Sequence, residues 1–294
     1  MKWLEISIPV AAEAAEAVSE TLSRYVPQGV AIDLGNDPTS QDVTIRAYLD
    51  QDSETLEETR QKIEEAIWHL SQIWPMPQPT YQTIADQDWT ARWKKNIPIL
   101  HMGTHIIIKP LWRDYDTHEN DIVLEMDPGL AFGTGLHPTT QLCMEALEDL
   151  IQPGMHILDL GTGTGILAIA AAKLGAGEIA AIDNDSNAVK ATRHNARNNQ
   201  VADKLDIIHG SLSEAKDAYD LVLANILAPI ITKMAQEGLA ARLKQDGRLV
   251  ASGILAEQVD EVSATLKQNG LTVTDIRKKE DWIALIATRA ETPL

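Results

Sequence analysis

Ile157-Leu-Asp-Leu-Gly161-Thr-Gly163-Thr-Gly165-Ile-Leu167 is the stretch whose reading decides the fold. An apolar run carrying one acid, Asp159, turns on three alternating glycines and enters the alanine-rich helical stretch Ile166–Lys173. Glycines at such a turn let backbone approach a ligand closely and supply φ angles that a Cβ forbids. The helix that follows offers unpaired N–H groups to an anionic group. A dinucleotide fingerprint requires G-x-G-x-x-G, and Ile166 occupies the place of its third glycine. A G-x-x-x-x-G-K-[ST] phosphate loop occurs nowhere in the chain.

A second acid extends the pattern. Gly177–Ile182 reads as a short apolar strand ending at Asp183, 22 residues after Gly161. In a βαβ unit an acid at that point meets a ribose diol, because a carboxylate accepts from two adjacent hydroxyls at once. Asp183, Asp185 and Ser186 can each also cap the helix expected over Ala188–Asn199. The assignment preferred here gives the cap to Asp185 or Ser186 and the ribose to Asp183.

Outward from this centre, strands alternate with helices from Asp121 onward, which predicts a mostly parallel sheet. Strands are expected at His156–Leu160, Gly177–Asp183, Leu205–His209, Tyr219–Ala224, Arg248–Ser252, Thr272–Arg277 and Ile283–Thr288. Helices fall between the first five, and Leu255–Gln268 follows the fifth; the last two strands are close enough to be antiparallel. The N-terminal part reads β-α-β-β-α-β, the order of a small ferredoxin-like domain. Its strands are expected at Trp3–Val10, Gly29–Leu34, Asp42–Leu49 and Thr80–Ala85. Its helices are expected at Ala11–Tyr25 and from Ser53 through Leu70. The domain division is therefore 1–85, a linker over 86–120 and 121–294. The linker carries Trp89, Trp93, Trp112 and the cations Arg92, Lys94 and Lys95. Those tryptophans either pack the linker on the domains or form a partner surface.

Two more stretches belong to the site. Asp127-Pro-Gly-Leu-Ala-Phe132-Gly-Thr-Gly-Leu-His137-Pro-Thr139-Thr140 precedes the glycine-turn strand. Pro138 suits the first turn of a helix running through Leu150. Phe132 is either a lid over a ligand or a core plug, and His137 either an acid–base group or the helix cap. Thr139 and Thr140 fall in the first turn, where their hydroxyls can meet a bound ligand. The fourth strand ends at Asn225-Ile-Leu-Ala-Pro, and Asn225 either holds a ligand with its amide or caps the next helix.

Bulk properties bound the partners. With 294 residues, the chain can bury a sizeable core and hold two domains. Its apolar runs are too short to span a bilayer, no signal-peptide pattern opens it, and a single cysteine, Cys143, excludes an internal disulfide. Cytoplasm is the expected compartment. The formal net charge of −18 repels phosphate backbones, so direct nucleic-acid binding is not expected. The same charge attracts a basic protein or an amine substrate.

Asp-x-Gly-x-Gly-x-Gly followed by Asp183 resembles the first motifs of S-adenosylmethionine-dependent methyltransferases, and seven strands ending in an antiparallel pair match their sheet. The run Gly129-Leu-Ala-Phe-Gly-Thr-Gly-Leu-His-Pro-Thr-Thr140, with Asn225-Ile-Leu-Ala and Ser252-Gly-Ile-Leu-Ala, is similar to the PrmA family over nearly the whole chain. That resemblance implies an α/β fold, a seven-stranded Rossmann-like methyltransferase sheet preceded by a small substrate-recognition domain. It implies S-adenosyl-L-methionine as methyl donor and Thr140, Gly161, Asp183 and Asn225 as its contacts, with Asn225 also at the reacting amine. It also implies that lysine ε-amines and the N-terminal α-amine of a basic large-subunit protein, L11, are the acceptors. Many amino-methylating enzymes carry an aromatic clamp after the asparagine; Ile226-Leu227 here favours a flexible sp³ amine over a planar acceptor. An NAD-dependent oxidoreductase, or a methyltransferase acting on another amine, is the alternative reading. No metal is expected, and the chain is expected to act as a monomer.

Overall fold

The computed structural model describes residues 2–11, 14–23, 25–26, 30–33, 42–53, 55–85, 99–126 and 137–289. The chain divides into two compact units, Met1–Pro98 and Ile99–Leu294. In the first, β1 (Lys2–Ala11), α1 (Ala15–Ser23), β2 (Val30–Asp33), β3 (Asp42–Asp50), α2 (Leu56–Ser71) and β4 (Thr80–Ala85) follow in the expected order. They make an antiparallel sheet ordered β2-β3-β1-β4. Period-two alternation puts Ile6, Ile8 and Val10 of β1 on one face, where they pack with Val18 and Leu22 of α1 and Ile63 and Ile67 of α2.

The second unit opens with β5 (Leu100–Met102), β6 (Ile106–Pro110) and β7 (Ile122–Met126), which form their own three-stranded sheet. Part of the stretch expected as a linker is thus regular structure within this unit. The β5–β6 turn closes on a distant side chain. The Glu148 carboxylate accepts from the backbone N–H of Thr104 (2.7 Å), His105 (2.7 Å) and Ile106 (3.2 Å). Trp89, Trp93, Arg92, Lys94 and Lys95 lie outside the described residues, as does the glycine-rich stretch 127–136 with Phe132.

The remaining elements are α3 (Pro138–Leu150), β8 (Ile157–Leu160), α4 (Ile166–Lys173), β9 (Ile179–Asp183) and α5 (Ser186–Asn198). After them come β10 (Leu205–His209), β11 (Tyr219–Asn225), α6 (Ala228–Gln236), β12 (Leu243–Leu255), α7 (Val259–Gln268), β13 (Leu271–Lys279) and β14 (Trp282–Arg289). The seven strands from β8 onward pair in the order β10-β9-β8-β11-β12-β14-β13. Strands β8 to β12 run parallel, and β14 is antiparallel to both of its neighbours.

Both faces of the sheet are covered, as parallel strands demand. Leu221 and Leu223 of β11 face one core; Val222 and Ala224 face the other. Helix α4 is buried from Ile166 through Ala172. A helix apolar all round must be enclosed, and its core is shared with Ile106, Ile108 and Leu124 of the small sheet. Order reverses between β8, which leads outward to β9 and β10, and β11, which returns beside β8 on the other side. Such a switch point opens a crevice at the carboxyl ends of the strands, where ligands bind in open α/β sheets.

Candidate functional site at the carboxyl ends of the central strands

The glycine turn after β8 is tied down by its neighbours at almost every polar group. Gly161 N–H and Thr162 N–H donate to the Ile182 carbonyl at 2.8 and 3.1 Å. Gly163 O accepts from Thr192 Oγ1 (2.9 Å), and Thr164 O accepts from Asn195 Nδ2 (2.9 Å). Gly161, Gly163 and Gly165 have φ of +72°, +58° and +82°, the left-handed region where glycine carries no steric cost. At Gly165 there is also no space, since an added Cβ would sit 2.7 Å from Thr192 Cγ2.

Asp183, at the end of β9, holds the middle of that turn. Its Oδ2 accepts from Gly163 N–H (2.9 Å) and its Oδ1 from Asp185 N–H (2.9 Å). A carboxylate oxygen has more than one acceptor site, so both keep capacity for an incoming hydroxyl. The helix cap is Asp185, whose carboxylate accepts from Asn187 N–H at 2.8 Å. Asp183 is therefore released from capping, as the preferred assignment required.

Asp159 lies beneath the turn, 1% exposed. Its Oδ2 accepts from Thr162 Oγ1 (2.7 Å), while Oδ1 is buried with no hydrogen-bond partner. Burial pushes its carboxyl up to about 6, and the nearby Asp183 charge acts in the same direction.

Across the switch point, Asn225 Nδ2 donates to Thr140 Oγ1 at 3.3 Å, joining two residues 85 positions apart in the chain. Thr140 is buried in the first turn of α3, and its N–H donates to His137 O at 3.0 Å. His137 is the cap of that helix: its Nδ1 accepts from Thr139 N–H (3.3 Å), and its ring stands edge-on to Trp282. The structure thus answers the alternatives left open for His137 in favour of capping. Asn225 does not cap α6, whose N-cap is Leu227.

The four predicted residues thus fall at the carboxyl ends of β8, β9 and β11 and in the first turn of α3, in two pairs: Gly161 and Asp183 joined through the turn, Thr140 and Asn225 through their side chains. Sequence reasoning missed Thr192 and Asn195, which fix the turn from α5. Their signal is visible in hindsight: two polar residues, i and i+3, in a helix face otherwise built from Ala188, Val189, Ala191 and Ala196. Cys143 is buried and its thiol pushed up to about 12 by desolvation, which rules out thiolate chemistry near neutral pH. Among the described residues no group of three or more His, Cys, Asp or Glu side chains could hold a metal. A separate pocket of about 470 Å³ lies by Lys109, Glu125, Lys173 and Asn198; none of the predicted residues lines it.

The family model described as "Ribosomal protein L11 methyltransferase (PrmA)" matches residues 2–290. A ribosomal protein L11 methyltransferase of Chloroflexus aurantiacus is 41% identical, with 98% of each chain covered. One from Herpetosiphon aurantiacus is 37% identical, covering 97% of this chain and 98% of its own. The crystal structure of a ribosomal protein L11 methylase from Lactobacillus delbrueckii subsp. bulgaricus superposes with a TM-score of 0.62 at 33% identity. That match covers 66% of this chain and 99% of the other.

Proposed function

The chain belongs to the ribosomal protein L11 methyltransferase (PrmA) family, and from that premise we propose that it methylates amines of L11, with S-adenosyl-L-methionine as donor. Lysine ε-amines and the N-terminal α-amine are the acceptors in this reading. The observation that carries it is the pairing of Asp183 with the glycine turn and of Asn225 with Thr140 on either side of the switch point.

The residues present fit the donor. Asp183 has spare acceptor capacity for a ribose diol, and the left-handed glycines of the turn leave its backbone open to close approach. When bound, S-adenosylmethionine supplies a methyl group on a sulfonium, which a neutral amine attacks in line with the departing sulfur.

This chain's side chains bind and align. Gly161 and Gly163 bring backbone close, Asp183 orients the sugar, and Thr140 and Asn225 hold the reacting end. An ammonium has no lone pair, and lysine's reference pKa is ~10.4, so a proton must leave first. A neighbouring positive charge and partial desolvation both favour its loss. Thr140 and Asn225 are a hydroxyl and an amide, neither of them a base, so their part is to hold and orient the amine once it is neutral. Orientation then supplies most of the acceleration.

Calorimetric titration with S-adenosylmethionine and NAD side by side tests the reading against its oxidoreductase rival. Binding of the first alone is expected. Replacing Asp183 by Ala should weaken it by roughly 1–3 kcal/mol, the worth of charge-assisted hydrogen bonds, with thermal unfolding still cooperative. Equal affinity in a folded Asp183→Ala protein removes the residue from the site; binding of NAD instead removes the function.

A further inference from the structure

Ile226, next to Asn225, is wedged between two glycines. A Cβ on Gly161 would collide with the Ile226 side chain, and a Cβ on Gly253 would strike the Ile226 carbonyl. Gly253 has φ +86° and sits at the irregularity in the β12–β14 pairing. The Ile226 N–H donates to the Ser252 carbonyl at 3.1 Å, closing the wedge from the β12 side. Pinned in this way, the chain turns the next side chain outward.

Leu227 is 67% exposed and Ile230 42% exposed, large apolar groups of the kind a soluble surface usually limits. They stand three residues apart at the start of α6, linked by Ile230 N–H donating to Leu227 O at 2.8 Å, so they share one face. Leu227 follows Asn225 by two residues, so the face begins where the strand carrying Asn225 ends. We infer that Leu227 and Ile230 form a shelf that holds the aliphatic stem of the acceptor lysine while Asn225 meets its amine, an inference that rests on the proposed function.

Chemistry selects the occupant. A lysine is a long methylene stem under a polar head, and such stems bury along apolar surface while the head stays polar. A planar acceptor calls for an aromatic platform, which Ile226 and Leu227 do not provide. The net charge of −18 draws a basic polypeptide to the protein as a whole, and the shelf then selects within it.

The test compares wild type with Leu227→Ser, Ile230→Ser and the double variant on free L11, measuring kcat, KM and S-adenosylmethionine affinity. Leu227 is the N-cap of α6, where serine is a better cap than leucine, so the change should not unfold the helix. We expect KM for the protein to rise roughly tenfold in the double variant, the scale of one or two buried methylenes. Cofactor affinity should be unchanged, and Leu227→Met should retain wild-type KM. Transfer by wild type with the same KM in the double variant overturns the shelf alone; no transfer by wild type overturns the function and the shelf together. A wild-type dimer in light scattering that the double variant dissociates would make the face a self-interface and also overturn it.

Discussion

Asp159 is a carboxylate held at 1% exposure; its Oδ2 accepts from Thr162, its Oδ1 makes no full hydrogen bond, and the Ala168 backbone N–H offsets only part of the burial penalty. Such a group costs stability when charged, and it has a pH signature. Its carboxyl is raised to about 6 in the folded protein from 3.8, so the folded state holds the proton more tightly than the unfolded chain. Its contribution is most favourable below pH 3.8, is lost progressively as pH rises to about 6, and is flat above. Asp159→Asn has no such loss. The stability of the variant relative to wild type should therefore grow between pH 4 and 6.5 by roughly 2–3 kcal/mol. Parallel denaturation curves across that range would show that the carboxyl is not buried in this way. The positions of Asp183 and Asn225 were legible because each ends an apolar strand, and the ends of parallel strands are where ligands collect. The supports of the turn were not legible. Thr192 and Asn195 bond to carbonyls 29 and 31 residues away, and nothing local announces those partners.

At the scale of elements, short apolar runs set between helical stretches made β8 to β11 and the β13–β14 pair readable, with ends displaced by a residue or two. What escaped was the β5–β6 hairpin. Its turn is completed by Glu148, a carboxylate over forty residues away, rather than by a local turn motif. A similar long-range device ties α5 to the small sheet. Asn199, buried at the end of α5, accepts from Glu125 N–H of β7 (2.8 Å) and donates to Glu125 O (2.6 Å). One amide thus continues the edge of β7 as a neighbouring strand would. Asn199→Ala leaves both Glu125 groups without that partner and should destabilise the protein by roughly 1–3 kcal/mol. Chemical denaturation measures it; a midpoint equal to wild type with the same slope would mean the clamp contributes nothing.

Across the whole molecule, two compact units carry a net charge of −18. The second unit holds the predicted site and its own two cores; the first holds a separate core. Negative charge of this size attracts a basic polypeptide and is repelled by exposed ribosomal RNA. In competition between equal amounts of free L11 and intact large subunits, the free protein should be methylated faster, and added salt should narrow the gap as screening sets in. Faster modification of the subunit would overturn that electrostatic argument. The most direct test of the function itself is incubation of the purified enzyme and methyl-labelled S-adenosylmethionine with separated ribosomal proteins that lack methylation. Label is predicted on the amines of L11 and to be absent when Asp183→Ala protein is used at low donor concentration. No label on any ribosomal protein, or label only on RNA, would contradict it.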